Sequence, residues 1–119
     1  MVLIVYYNLV INFEVIMTAK STQLIELETE FGRLFGSLSP SRGVASIDSL
    51  AVYSFTEYRK GHGTALYEQF LALTKGFNLI CIQIHMYNER AIKFWQSKGF
   101  KYEGPLDQEY LEYTLELKG

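Results

Sequence analysis

Between Val44 and His85 the apolar pattern changes period twice, and this constrains the architecture more than any other stretch. Val44 to Tyr53 mixes apolar and polar residues as a central strand buried on much of both faces does. Thr64 to Thr74 then sets Leu66, Phe70 and Leu73 on one helical face, and Gly76 follows as a stop signal. From Phe77 to His85 the period returns to two, with Ile80, Ile82 and Ile84 alternating against Leu79, Cys81 and Gln83. A helix between two such strands predicts parallel neighbours joined by a right-handed crossover.

Downstream, Asn88 to Lys98 reads as a second helix, with Asn88 as N-cap, Glu89 in the first turn, Ala91, Ile92 and Trp95 turned inward, and Gly99 as its end. Phe100–Glu103 and Glu109–Leu117 read as closing strands separated by a turn at Gly104-Pro105-Leu106-Asp107. Upstream, the Val, Ile, Tyr and Phe content of Val2–Tyr7 and Val10–Thr18 suits two strands. Residues 1–119 read as a single domain, since a chain of this length closes around one core. Nine Tyr, eight Phe and one Trp supply ample volume to fill it.

Ser21 to Leu38 admits two readings. Leu24, Leu27, Phe31, Leu34 and Leu38 recur at helical spacing behind a Ser21 cap. Against a helix stand Gly32 and Gly36, each costing about 1 kcal/mol in a helix interior, and the alternation of Ile25, Leu27, Thr29 and Phe31. The balance favours strand. Arg33–Ser39 then runs into a turn at Ser39-Pro40-Ser41-Arg42-Gly43, and Val44–Tyr53 returns antiparallel to it.

The net charge of −2 comes from interspersed acids and bases, so no broad cationic face favours nucleic acid. Met1–Met17 is apolar but interrupted by Asn8, Asn12 and Glu14, which argues against a membrane span or signal segment. The single Cys81 reads as a buried small hydrophobe and is compatible with a reducing cytoplasm, so a cytoplasmic protein is expected. His62 and His85 lack companions for a metal site, and none is expected. The aromatic-rich first strands are candidates for pairing across a homodimer.

The chemistry centres on Tyr58-Arg59-Lys60-Gly61-His62-Gly63, a glycine-rich turn between strand and helix. The first amides of a helix lack intrahelical acceptors and carry the positive end of its dipole, so they favour an anion. Gly61 and Gly63 remove the Cβ atoms that would block close approach, and Arg59 and Lys60 add cations suited to a diphosphate. A turn that merely joins two elements is the plain alternative. No P-loop pattern is present, and Leu66 stands where the third glycine of a dinucleotide-binding fingerprint would be.

Ile47-Asp48-Ser49-Leu50-Ala51-Val52, then Glu57 to Leu66 around the turn, then Asn88-Glu89-Arg90-Ala91-Ile92-Lys93-Phe94-Trp95-Gln96-Ser97-Lys98-Gly99-Phe100 together resemble the GNAT superfamily of acyl-CoA N-acyltransferases. The resemblance spans Val44 to Gly104. It implies an α+β fold of the three-layer GNAT type, with a mixed, mostly antiparallel sheet, a parallel strand pair splayed at the cofactor site, helices on its faces and a reduced N-terminal helical part. The implied activity is an N-acetyltransferase passing acetyl from acetyl-CoA directly to a primary amine of a protein or small molecule.

By the same resemblance, the backbone of Leu50, Ala51 and Val52 would pair with the pantetheine arm of coenzyme A. The stretch Tyr58, Arg59, Lys60, Gly61, His62, Gly63 and Thr64 would hold its pyrophosphate. Asn88 would both cap its helix and touch the cofactor. A backbone N–H near Leu50 and Ala51 would stabilise the oxyanion. Asp48, where relatives often carry Glu, is the candidate base; the alternative is an exposed strand carboxylate.

Two departures stand out. Tyr58 replaces the Arg or Gln usual three residues before the first glycine, with Arg59 displaced by one. Trp95 replaces the tyrosine thought to protonate the departing thiolate, and an indole cannot do so; Tyr87, a water or no acid would serve instead, leaving Trp95 as a core or cofactor-wall residue. Relatives also place helices after the first strand, and these shape the acceptor pocket. A non-catalytic module that binds coenzyme A or a protein partner is therefore the second reading.

Overall fold

The computed structural model describes residues 2–6, 9–15, 22–54, 56 and 58–117, the first two stretches as backbone. Alternation, not helical period, governs residues 23–39. Val2–Tyr6 (β1), Leu9–Val15 (β2), Gln23–Thr29 (β3), Gly32–Ser39 (β4) and Val44–Val52 (β5) form consecutive antiparallel strands. His62–Leu73 (α1) leads to Leu79–His85 (β6), Glu89–Ser97 (α2) to Lys101–Pro105 (β7), and Tyr110–Glu116 (β8) ends the sheet. The order is β1-β2-β3-β4-β5-β6-β8-β7, with β5 and β6 the parallel pair. The expected mixed, mostly antiparallel α+β sheet is thus present.

The helical alternative is overturned over Gln23–Leu38, its Ser21 cap lying outside the described residues, and packing supplies the reason. A Cβ on Gly36 would stand 2.5 Å from the Ser46 carbonyl oxygen and 2.7 Å from Phe70 Cε1, and one on Gly32 2.5 Å from the Ala51 carbonyl oxygen and 3.2 Å from Leu66 Cδ1. These glycines, costly in a helix, let α1 settle onto β4. Phe70 and Leu66 are fully buried there, each burial worth about 1.5–3 kcal/mol.

Ile25, Gly36, Ile47, Ile82 and Tyr113 are successive register partners across β3, β4, β5, β6 and β8, and the four with side chains belong to one core. Leu66, Tyr67 and Phe70 of α1 and Trp95 of α2 join it, so both helices pack on the same face. The rings of Tyr67 and Trp95 meet edge-on at 5.3 Å, and Phe100 lies 5.2 Å from Trp95. On the opposite face, among the described residues, Leu24 and Phe35 are exposed, and Arg33 binds Glu28 at 2.7 Å. Cys81 lies on this face, half-buried, because Ile80, Ile82 and Ile84 take the core side.

Several boundaries differ from the sequence expectation. The first helix starts at His62 rather than after Gly63, because Gly61 adopts φ 85° and turns the chain directly into helix. β6 starts at Leu79, after Asn78 N–H donates to the Gly43 carbonyl at 2.7 Å. Gly104 and Pro105 belong to β7 rather than to the turn, opposite Glu112 and Leu111, with a bulge between Tyr102 and Gly104. β1 ends at Tyr6 and β2 at Val15; Tyr7 and residues 16–18 lie outside the described residues.

Candidate functional site: a cleft at the strand divergence

The parallel rungs run from Val44–Leu79 to Ile47–Ile82 and stop. Beyond them β5 stays with β4, through Leu34–Leu50, Arg33–Ala51 and Gly32–Val52, while β6 stays with β8 through His85–Tyr110. Each strand follows its own antiparallel partner, and the two splay apart. Asp48 is the bulge residue at that point: Gly36 faces Ile47 and Phe35 faces Ser49, leaving Asp48 unmatched on β5. The bulge reverses the alternation, so Ala45 and Ile47 enter the core and, past it, Leu50 packs against that same core.

A cleft of about 580 Å³ opens beside the divergence, walled by β5, the turn into α1, and α2. Of the residues singled out from sequence, Leu50, Ala51, Val52, Tyr58, Arg59, Gly61, His62, Gly63, Thr64, Asn88 and Trp95 line it. Lys60 is exposed and outside the lining, as is Tyr87, which is 80% exposed on the turn after β6. Asp48 is also outside the lining, on the exposed side of its strand. Arg90, Ala91 and Phe94 join the wall although none was expected in the site and Ala91 was expected only to turn inward; their place in the Asn88–Phe100 motif was the available signal.

The turn is built by backbone geometry. Arg59 adopts φ 66° and Gly61 φ 85°, both left-handed, so the chain coils back before α1 begins. The Gly61 carbonyl accepts from Ala65 N–H at 2.9 Å, which leaves the amides of Gly63 and Thr64 without an i−4 carbonyl inside the helix. A Cβ on Gly61 would meet nothing within 4 Å, and one on Gly63 would sit 3.4 Å from Phe94 Cε1 and 3.6 Å from Leu50 Cδ2. The His62 ring stacks on Phe31 at 4.1 Å and fastens the start of α1 to the β3–β4 turn, so His62 is a helical residue rather than a loop one.

Asn88 caps α2, its Oδ1 accepting from Ala91 N–H at 3.1 Å. Trp95 is 5% exposed, wedged among Tyr67, Phe94 and Phe100, with part of its surface on the cleft. Arg90 sets its guanidinium 4.3 Å above the Tyr58 ring. Arg59 and Arg90 line the cleft, and no carboxylate does among the described residues. Desolvation raises the Asp48 carboxyl above its ordinary range even though the residue is open to solvent on one side. Among the described residues, no cluster of His, Cys, Asp or Glu is arranged for a metal ion, and no helix is long and apolar enough to cross a membrane.

No protein-family model and no curated protein matches this sequence. Solved structures do. An acetyltransferase from Thermus thermophilus superposes with a TM-score of 0.69 at 22% identity over 81% of this chain, which spans 64% of that protein's length. A protein assigned to the GNAT family of acetyltransferases from Desulfovibrio desulfuricans gives a TM-score of 0.67 at 17% identity, over 80% of this chain and 69% of its own. The PaiA N-acetyltransferase of Thermoplasma acidophilum, solved in complex with coenzyme A, gives 0.68 at 17% identity, covering 81% and 61%. Strand order, the divergence after Ile47–Ile82 and these superpositions lead to one conclusion: the chain has the fold of the GNAT acyl-CoA N-acyltransferases.

Proposed function

We propose that this chain is an acetyltransferase that binds acetyl-CoA in the cleft beside the strand divergence and passes the acetyl group directly to a primary amine. The observation that carries this reading is the turn at Arg59–Thr64, whose left-handed Arg59 and Gly61 lead into α1 along a cleft that Gly61, His62, Gly63 and Thr64 line together with Arg59 and Arg90. A diphosphate is the anion suited to such amides. The cofactor of the Thermoplasma acidophilum relative supports the same choice.

The roles follow from position. The edge of β5 from Leu50 to Val52, which β6 has left, offers backbone groups to an extended pantetheine arm. Gly63 leaves room for that arm between Phe94 and Leu50. Acetyl-CoA would supply the acyl thioester, and a backbone N–H near Leu50 and Ala51 would donate to its carbonyl oxygen as charge develops; the C–N bond to the amine would form as the C–S bond breaks, with coenzyme A leaving as a thiolate that takes its proton from water. Asp48, the bulge residue where the strands diverge, lies outside the cleft lining and receives the proton of the incoming ammonium through water. Its raised pKa moves it toward the range useful to a base.

A second reading is a module of the same fold that holds coenzyme A without turnover. Trp95 favours it, being packed into the core without a titratable proton, as does Tyr87, which lies away from the cleft lining. Thiol release from acetyl-CoA across a panel of amines, run beside calorimetric titration with coenzyme A, separates the two. Binding with amine-dependent release is the expected result. Binding without release on any acceptor supports the module, and no binding at all removes both.

A further inference from the structure

Arg90 and Tyr58 meet across the cleft from elements far apart in the sequence, one in the first turn of α2 and the other in the turn before α1. The guanidinium carbon lies 4.3 Å from the ring centroid, within the distance at which a cation is held by the ring face. Position 58 itself brings no charge to the cleft. Arg90 is exposed as a residue, yet its charged end is held on a fixed platform rather than left to sweep solvent.

That arrangement has a use. An arginine parked on an aromatic face keeps its N–H edge available, because stacking occupies the π surface and not the donors. A side chain already confined loses less freedom when a ligand arrives. No carboxylate among the described lining residues competes for those donors. Gly61, His62, Gly63 and Thr64, which open α1, line the same cleft as Arg90, so an anion seated on their amides shares that cleft with a pre-placed guanidinium.

We infer that Arg90, propped on Tyr58, is a binding residue for the diphosphate of coenzyme A, and that Tyr58 is the positioning residue that supplies the charge at one remove. This rests on the donor-site reading above. Arg59 contributes its left-handed backbone to the amide turn, and Arg90 contributes the oriented cation.

The test is calorimetric titration of coenzyme A and of dephospho-coenzyme A, which keeps the diphosphate but lacks the 3′-phosphate. Arg90→Ala is expected to weaken both ligands roughly 10- to 100-fold, as loss of charged hydrogen bonds does. Tyr58→Phe retains the ring and is expected to keep near-wild-type affinity, whereas Tyr58→Leu approaches Arg90→Ala. The double variant Tyr58→Leu/Arg90→Ala should be no weaker than Arg90→Ala alone, a non-additivity that a merely structural Tyr58 would not produce. Arg90→Lys, with a point charge in place of the planar fork, is expected between wild type and alanine.

Thermal melts accompany each variant, and Arg90→Ala should shift them only slightly, because the residue is exposed and loses a single ring contact. Full affinity in Arg90→Ala, beside a wild type that binds coenzyme A, overturns the role of Arg90 alone. An Arg90 effect that vanishes with dephospho-coenzyme A assigns the guanidinium to the 3′-phosphate and overturns the diphosphate assignment. A wild type that binds neither ligand overturns the donor site itself and this inference with it.

Discussion

Lys98 donates from Nζ to Thr64 Oγ1 at 2.8 Å, tying the C-cap of α2 to the first turn of α1. The same ammonium lies 5.2 Å from the Phe94 ring centroid. This link fixes the spacing of two walls of the cleft. Lys98→Met keeps an unbranched stem of nearly the same reach and removes the donor, and is expected to cost about 0.5–1.5 kcal/mol in urea denaturation. Thr64→Val should cost a similar amount. The two together should cost clearly less than their sum, since both delete one contact.

Gly61 and Gly63 behave differently when given side chains. Gly61→Val places a β-branched residue at φ 85° and is expected to lose stability by about 1–2 kcal/mol or more, so it cannot report on the cleft alone. Gly63→Ala meets only ordinary contacts with Phe94 and Leu50, so the fold should survive while the added methyl narrows the cleft. Coenzyme A affinity should fall in a protein whose melting temperature is nearly unchanged; undiminished affinity would refute the cradle.

Gly36→Ala is expected to destabilise by about 1–3 kcal/mol through overpacking. Its Cβ would stand 2.5 Å from the Ser46 carbonyl oxygen and 2.7 Å from Phe70 Cε1, so either the β4–β5 ladder or α1 must shift. Pairing it with Phe70→Leu should recover part of the loss, because the ring edge is then gone. Equilibrium unfolding of the three variants measures this.

Asp48 and Glu28 carry pH dependences of opposite sign. Desolvation raises the Asp48 carboxyl above its ordinary value of 3.8, so its contribution to stability is complete below that pH and is lost as the pH rises through the folded-state pKa. Asp48→Asn should therefore raise the melting temperature at pH 7, with the gain vanishing below pH 3.8. Turnover should fall in the same variant while coenzyme A affinity holds, and wild-type rates would remove Asp48 from the chemistry. The Glu28 carboxyl is lowered from 4.5 by hydrogen bonds from Tyr53 and Arg33, so its contribution exists above 4.5 and is lost on acidification; Glu28→Gln should flatten the acid limb of the melting profile.

The parallel pair, both helices and the glycine turn were legible because each rests on local signals: a switch of period, the Asn88 cap, glycines at element ends. The β3–β4 hairpin was legible only as a preference. Leu24, Leu27, Phe31, Leu34 and Leu38 satisfy a helix, and what rejects it is the press of Phe70 and Leu66 on Gly36 and Gly32, a contact between distant parts of the chain. The bulge at Asp48 left no sequence mark, since a reversal of alternation in a mixed strand looks like noise. Arg90 was missed for a similar reason: on a helix wheel it is a solvent-facing charge, and its partner Tyr58 is brought near only when α2 folds back against α1.

The bulge in β7 has a consequence at the border of the sheet. This strand is the last in the order, so one of its sides is open. Leu106 N–H points inward to the Tyr110 carbonyl at 2.9 Å, which by alternation turns position 105 outward, and proline there presents no donor. With Lys101 at its start and an extra residue at Glu103, this border has an irregular ladder and a cation where an incoming strand would need a flat, regular template. A foreign extended segment therefore finds no foothold on this flank, and eight strands do not grow to nine there.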